Sequence, residues 1–249
     1  MALEVGRVSV NFGGLRALTD VSLSVDEGSV TGLIGPNGAG KTTLFDVITG
    51  MRKPTKGTVT FNGRDLRGVS PYQRSRLGVG RTFQRLELFG TLTVRENVRV
   101  AASIGRRSRR RASEHTESVE ETTERLLETM HLEQVADTRA DTLPTGTGRL
   151  VELARALAVR PTALLLDEPA SGQNVEETKR FASVLRSLTS EGLAVLLVEH
   201  DMDLVMSVSD VVFVLVEGSI LCSGTPQDIQ RDPAVAEAYL GSVVQADHD

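Results

Sequence analysis

Residues Gly35 to Thr42 read G-P-N-G-A-G-K-T and match the pattern G-x-x-x-x-G-K-[ST] in full. A short apolar strand, Val30 to Ile34, runs straight into it, and apolar residues at helical spacing follow from Lys41 to Ile48, ending at Gly50. Strand, glycine-rich turn and helix in that order commit the chain to an α/β sheet with this loop at a strand's C-terminal end. Glycines let the backbone curl until its N–H groups point inward at an anion. The helix that follows aims its positive end at the same place. Lys41 reaches the outer groups of a polyphosphate, and the Thr42 hydroxyl suits Mg²⁺. The expected phosphate-binding set is Gly35, Pro36, Asn37, Gly38, Ala39, Gly40, Lys41, Thr42 and Thr43.

A second apolar strand, Ala163 to Leu166, ends in Asp167 and Glu168. In a parallel sheet Asp167 comes beside the loop, where it suits the hydration shell of Mg²⁺. Glu168 faces the other way and is placed to accept a proton from an attacking water. A third strand, Ala194 to Val198, ends in Glu199-His200-Asp201, and His200 is a candidate partner for the terminal phosphate and that water.

Around these motifs the pattern reads as one unit. Val8 to Phe12, Val21 to Val25 and Thr58 to Phe61 are short strands, the last closed by Asn62-Gly63. Residues 87–142 change texture to helical periodicity, with helices expected near 94–104 and 118–130. Helices near 147–159 and 175–190, a short helix and a strand at 211–216 resume the alternation, and 226–240 holds two short helical stretches. The expected organisation is a single domain over 1–241. Its nucleotide-binding core is 1–86 and 143–225, its helical subdomain 87–142, its C-terminal extension 226–241, and a polar tail occupies 242–249. Arg106 to Arg111 holds five arginines in six residues and suits a solvated turn or phospholipid headgroups.

Composition narrows the partners. The chain has 249 residues and a net charge of −5, which gives no global pull toward nucleic acid. Its one cysteine, Cys222, excludes an internal disulfide and reads as a small apolar residue following a strand. The longest apolar runs, Leu193 to Val198 and Val211 to Val216, are six residues each, against about 20 for a spanning helix. The N-terminus has no signal-peptide pattern. The expectation is a cytoplasmic chain that serves a membrane only by docking on another protein.

Taken in order, these motifs resemble the ATP-binding cassette (ABC) family over about residues 3–240. The resemblance implies a P-loop nucleoside-triphosphatase (NTPase) fold: a mainly parallel α/β core, an antiparallel β subdomain at the N-terminus and an inserted helical subdomain. It implies ATP and Mg²⁺ as ligands and ATP hydrolysis as the activity. Phe12 sits where the family stacks an aromatic on adenine. Gln84, in Gly80-Arg81-Thr82-Phe83-Gln84, resembles the glutamine that senses Mg²⁺ and water and links the site to the membrane partner. His200 resembles the switch histidine, and Ser171 to Asn174 falls at the D-loop.

Several stretches are similar to the branched-chain amino-acid importer ATPases: Asn11 to Leu18, Arg81 to Phe89, Leu92 to Asn97, Gly224 to Ile229 and Ala238 to Gly241. That group implies transmembrane permease subunits, a second cassette (a related chain or another copy) and, indirectly, a solute-binding protein. It places the chain on the inner face of the cell membrane. Relatives for urea, short amides or lipid export share much of the pattern, and a soluble ABC ATPase without a transport role is the other alternative. Leu86, Leu88 and Phe89 are either apolar anchors for a permease helix or packing for the insertion. Two stretches depart from the family. The signature, usually L-S-G-G-Q, is Leu143-Pro144-Thr145-Gly146-Thr147, and Asn174 stands where the D-loop usually has aspartate. Pro144 brings neither hydroxyl nor N–H. Thr145, Gly146 and Thr147 at a helix N-terminus are the expected replacement contact.

Overall fold

A computed structural model describes residues 1–82, 86–109 and 117–246. The chain opens with β1 (Leu3–Phe12), β2 (Leu15–Val25) and β3 (Val30–Ile34), which delivers the glycine loop into α1 (Lys41–Thr49). Then come β4 (Lys56–Phe61), β5 (Arg64–Asp65), α2 (Pro71–Leu77) and β6 (Val79–Arg81). The inserted part holds α3 (Val94–Arg109) and α4 (Val119–Thr129). Alternation resumes with α5 (Thr145–Ala158), β7 (Ala163–Asp167), α6 (Val175–Ser190), β8 (Ala194–Val198), α7 (Met202–Val208) and β9 (Val211–Val216). The chain closes with β10 (Ser219–Gly224), α8 (Pro226–Arg231) and α9 (Pro233–Ala246).

Two sheets result. One is antiparallel, in the order β2-β1-β4-β5; the other runs β10-β9-β3-β8-β7-β6. In the second, β9–β10 is antiparallel and the remaining pairs are parallel. Successive residues on β7 and β8 serve opposite faces. Leu165, Leu196 and Val198 join Leu44, Phe45 and Ile48 of α1 in one core, which also holds the inner face of the antiparallel sheet. Leu164, Leu166, Val195 and Leu197 join α5 and α6 in the other. Burial on both faces explains why these strands are apolar throughout.

Several boundaries differ from the sequence reading. β1 and β2 are longer than expected because they pair from Leu3↔Val25 to Phe12↔Leu15. The short elements α2, β6 and β10 carry too few residues to show a period. Cys222 therefore lies on a strand, half-buried against the core beneath α8. α3 extends to Arg109, so Arg106–Arg109 continue a helix rather than forming a turn, and Arg110 and Arg111 lie outside the described residues. α9 reaches Ala246, so the segment expected as a polar tail begins helical, and 247–249 lie outside the described residues. Backbone bonds from Ala140 to the Leu92 carbonyl and from Val94 to that of Thr138 hold the two ends of the insertion together.

Arg74 fixes the far end of α1. It is buried, and its guanidinium donates to the carbonyls of Val47 (2.8 Å), Ile48 (2.6 Å), Leu66 (2.9 Å) and Val69 (3.0 Å). The first two belong to the last turn of α1, where carbonyls lack helical partners and a cation complements the dipole. Replacing Arg74 by Ala strands the Ile48 and Val69 carbonyls, while those of Val47 and Leu66 keep the backbone N–H of Gly50 and Val69, at a cost of about 2–4 kcal/mol. At about 2–4 °C per kcal/mol for a chain of this size, thermal denaturation should register a fall of about 5–15 °C. A melting temperature equal to wild type would show that the carbonyls find other donors. Lysine, with one compact ammonium, should recover only part of the loss.

Candidate nucleotide site

β3, β7 and β8 run parallel, so their C-terminal ends share one edge of the sheet. That edge collects the glycine loop, Asp167-Glu168 and Glu199-His200, the position where open α/β sheets bind ligands. β8 lies between β3 and β7, so Asp167 is one strand removed from the loop rather than on the adjoining strand.

Only glycine can trace this loop. Gly35, Gly38 and Gly40 have φ of 153°, 79° and 108°. A Cβ on Gly35 would stand 2.0 Å from the Leu215 carbonyl oxygen, and one on Gly40 2.8 Å from that of Ala17. No side chain caps α1, which leaves its first-turn N–H groups to an anion. Lys41 is buried and donates to the Gly35 (2.6 Å) and Pro36 (3.0 Å) carbonyls. Burial lowers its pKa, opposed by the charges of Glu168 and Asp167. Thr42 is solvent-exposed and Thr43 half-buried. A glycine cradle, a helix N-terminus and a buried ammonium fit a polyphosphate.

Asp167 is buried, and burial raises its pKa against the pull of Arg81. Arg81 bridges Asp167 (3.0 Å) and Asp46 of α1 (2.8 Å). It thereby ties β6, the strand leading toward Gln84, to β7 and to the helix that follows the loop. The sequence reading assigned Arg81 and Asp46 no part, because nothing in their spacing shows that they meet. Among the described residues no cluster of three or more His, Cys, Asp or Glu forms a metal site by itself. A Mg²⁺ ion would rest on Thr42, Asp167 and the nucleotide's own phosphates.

Glu168 has a φ of 50°, a conformation uncommon outside glycine and typical of functional positions. Its Oε1 lies 2.8 Å from His200 Nε2. With Glu168 ionised, the imidazole N–H is the donor. Buried Glu199 accepts from the backbone N–H of Ala170 (2.6 Å) and of His200 (3.0 Å), pinning the turn after β7 to the turn after β8. Burial raises its pKa.

The other expected residues are spread more widely. Phe12, 41% exposed, ends β1 with the Arg52 guanidinium 4.0 Å from its ring centroid. Gln84 lies outside the described residues. α5 begins at Thr145, two residues earlier than expected, with Pro144 at its N-cap and no side-chain cap. Thr145 is exposed, Thr147 half-buried and Gly146 buried, where a Cβ would stand 2.4 Å from the Glu177 side chain. Asn174 caps α6, its Oδ1 accepting from the Glu177 N–H at 3.0 Å. Asparagine does this as well as aspartate, which accounts for that departure locally. Leu86 and Phe89 are 39% and 46% exposed, whereas Leu88 packs into the core. Buried Asn97 clamps the Phe89 backbone, accepting its N–H (2.9 Å) and donating to its carbonyl (3.1 Å).

Fold and site together define a nucleotide-binding α/β domain built on a phosphate loop. Comparison with known proteins sharpens this. The ABC transporter family matches residues 18–171, and the branched-chain amino acid ATP-binding cassette transporter family matches 219–244. The chain is 41% identical over 255 residues to the high-affinity branched-chain amino acid transport ATP-binding protein BraF of Pseudomonas aeruginosa, covering 96% of this chain and 97% of that one. A nucleotide-free ATP-binding cassette from an ABC transporter superposes with a TM-score of 0.85 at 31% identity, covering 96% of this chain and 98% of that one. A dimeric bacterial ABC transporter cassette gives 0.76 at 25%, covering 90% and 98%. The chain belongs to the ABC transporter family of ATP-binding cassettes.

Proposed function

We propose that this chain is the ATP-hydrolysing subunit of an importer of branched-chain amino acids. The observation that carries the reading is the glycine cradle with buried Lys41 on the same sheet edge as Glu168, whose carboxylate lies 2.8 Å from His200. The likeness to the P. aeruginosa transport protein over nearly the whole chain supports the cargo.

ATP is the substrate. Lys41 and the first-turn N–H groups of α1 hold its phosphates. Mg²⁺, held by Thr42 and Asp167 with Gln84, would screen phosphate charge. Phe12 offers its ring to the adenine. Glu168 takes a proton from water as the water oxygen bonds to the terminal phosphorus and the bond to the bridging oxygen breaks, leaving ADP and phosphate. His200 orients the carboxylate. α5 belongs to the hydrophobic cluster on one face of the parallel sheet and α1 to the cluster on the other. A second cassette, facing head to tail, would bring its Thr145–Thr147 segment over this chain's nucleotide. The dimeric cassette supports the pairing of two cassettes.

No described helix is long and apolar enough to cross a membrane. Force must therefore pass to permease subunits through a surface, and Leu86 and Phe89 supply exposed apolar side chains beside the Gln84 segment. The chain then works on the cytoplasmic face, with a solute-binding protein acting outside and no nucleic acid involved. The test is uptake of labelled leucine into liposomes holding the assembled transporter. Uptake should require ATP and this chain, and transport of urea or a short amide in place of leucine would overturn the cargo. Phe89→Asp should keep ATPase activity within about twofold and reduce uptake at least about tenfold, as loss of an interface anchor of about 1.4 kcal/mol or more implies. Undiminished uptake would remove Phe89 from the docking surface.

A further inference from the structure

The loop between α1 and β4 carries a cation to the Phe12 ring. α1 ends at Gly50, whose φ of 82° turns the chain back, and the Arg52 N–H then donates to the Asp46 carbonyl at 2.9 Å. Two further bonds stitch the loop to β1 beside Phe12. The Thr55 N–H donates to the Ser9 carbonyl at 2.8 Å, and the Asn11 N–H donates to Thr55 Oγ1 at 3.2 Å. The backbone around Arg52 is thus fixed before any ligand arrives. Its guanidinium lies 4.0 Å from the Phe12 ring centroid, well inside the range of a cation–π contact. Among the described residues no carboxylate forms an ion pair with Arg52, so its charge is not neutralised locally.

Phe12 belongs to none of the hydrophobic clusters. With Arg52 over one face, the 41% of the residue that stays exposed lies on the opposite face and the edge. Phe12 pairs with Leu15 of β2. Three residues further along that strand, Leu18 abuts the phosphate loop, where a Cβ on Gly40 would stand 2.7 Å from it. The ring is therefore about 10 Å along the strand from the loop, a span that the sugar and inner phosphate of a nucleotide can cover. Two aromatic faces repel through their like quadrupoles. A cation behind the ring draws its π density back and weakens that repulsion for a base stacked in front. It also holds the ring in place, which reduces the ordering cost of binding.

We propose that Arg52 is a positioning residue for the base: its guanidinium backs one face of Phe12 and presents the other face to adenine. The proposal rests on the reading of Phe12 as the stacking partner of adenine. Stacking is shared by ground state and transition state, so KM should move with Kd while kcat holds.

The test is Arg52→Ala in the full chain, titrated with Mg-ATP and, in parallel, with Mg-tripolyphosphate, which has the phosphates but no base. Kd for Mg-ATP should rise about two- to fivefold, the effect of one exposed cation–π contact. Kd for tripolyphosphate should stay at the wild-type value. Arg52→Lys keeps a cation and should recover part of the loss. Arg52→Met keeps apolar length without charge and should not. The melting temperature of each variant should lie within about 2 °C of wild type, as for other surface substitutions. Equal weakening of both ligands would show that Arg52 acts on the phosphates and would overturn the proposal. So would an unchanged Kd for Mg-ATP, full recovery by Met, or tighter binding by Arg52→Ala, the sign that the side chain occupies the face the base needs. Phe12→Ala separates this proposal from the reading beneath it. Loss of base stacking should weaken Mg-ATP by about five- to 150-fold and leave tripolyphosphate unmoved. If Phe12→Ala binds Mg-ATP as wild type does, the adenine reading of Phe12 falls and takes this one with it. If Phe12→Ala weakens Mg-ATP and Arg52→Ala does not, only the role of Arg52 falls.

Discussion

Glu168→Gln will stop turnover while sparing ATP binding. Glutamine has nearly the volume of glutamate, occupies the same backbone conformation and still offers a carbonyl oxygen to the His200 N–H. It has no carboxylate to receive a proton. General-base catalysis is worth about 10²–10⁴ in rate, so phosphate release should fall by about that factor. Kd for Mg-ATP should change by less than about threefold, because the amide neither adds nor removes a group that grips phosphate. Bound nucleotide recovered from the variant should be ATP, and the nucleotide-loaded chain should elute as a dimer, since closure persists until hydrolysis. Phosphate release at the wild-type rate would exclude Glu168 as the base. His200→Ala provides a contrast. It leaves the carboxylate in place but removes its 2.8 Å partner, so residual activity should exceed that of Glu168→Gln.

Much of this arrangement was legible because it is local. Val30 to Ile34 followed by the glycine loop and an apolar-periodic helix specifies strand, nest and helix with no long-range information, and all three fold where the pattern puts them. Asp167 and Glu168 were legible because an apolar strand ending in two acids is itself a local pattern. What could not be read was which distant groups meet. Arg81 reaches both Asp46 and Asp167, yet no periodicity links those positions. Nothing in the sequence marks Arg74, yet the return of α2 across the end of α1 buries it among four carbonyls. Leu88 and Phe89 are adjacent apolar residues that chain direction sends to opposite sides, one into the core and one to solvent. Tyr239 belonged to a recognisable family stretch, but its packing against the cluster of Ile34, Val212 and Val214 is visible only once α9 has folded back on the sheet.

Lys41→Ala tests the site at its base. The ammonium is buried, bonded to the Gly35 and Pro36 carbonyls and close enough to Asp167 and Glu168 to feel both charges. Removing it deletes the one side-chain cation that the loop itself contributes and leaves two carboxylates facing an incoming polyanion with less to offset them. Truncating one side of such a desolvated charge contact costs about 2–5 kcal/mol, or about 30- to several-thousand-fold in Kd. A second readout separates lost binding from lost folding. At a nucleotide concentration about 100 times the wild-type Kd, binding stabilises wild type by about 2.7 kcal/mol. The variant should fold with a melting temperature near that of the ligand-free wild type and show almost no further rise when Mg-ATP is added. Lys41→Arg keeps the charge but replaces a compact ammonium with a planar fork, so it should recover binding only in part. A Lys41→Ala chain that binds Mg-ATP with wild-type affinity would mean that the backbone nest and helix N-terminus suffice alone, and the electrostatic account of this site would have to be abandoned.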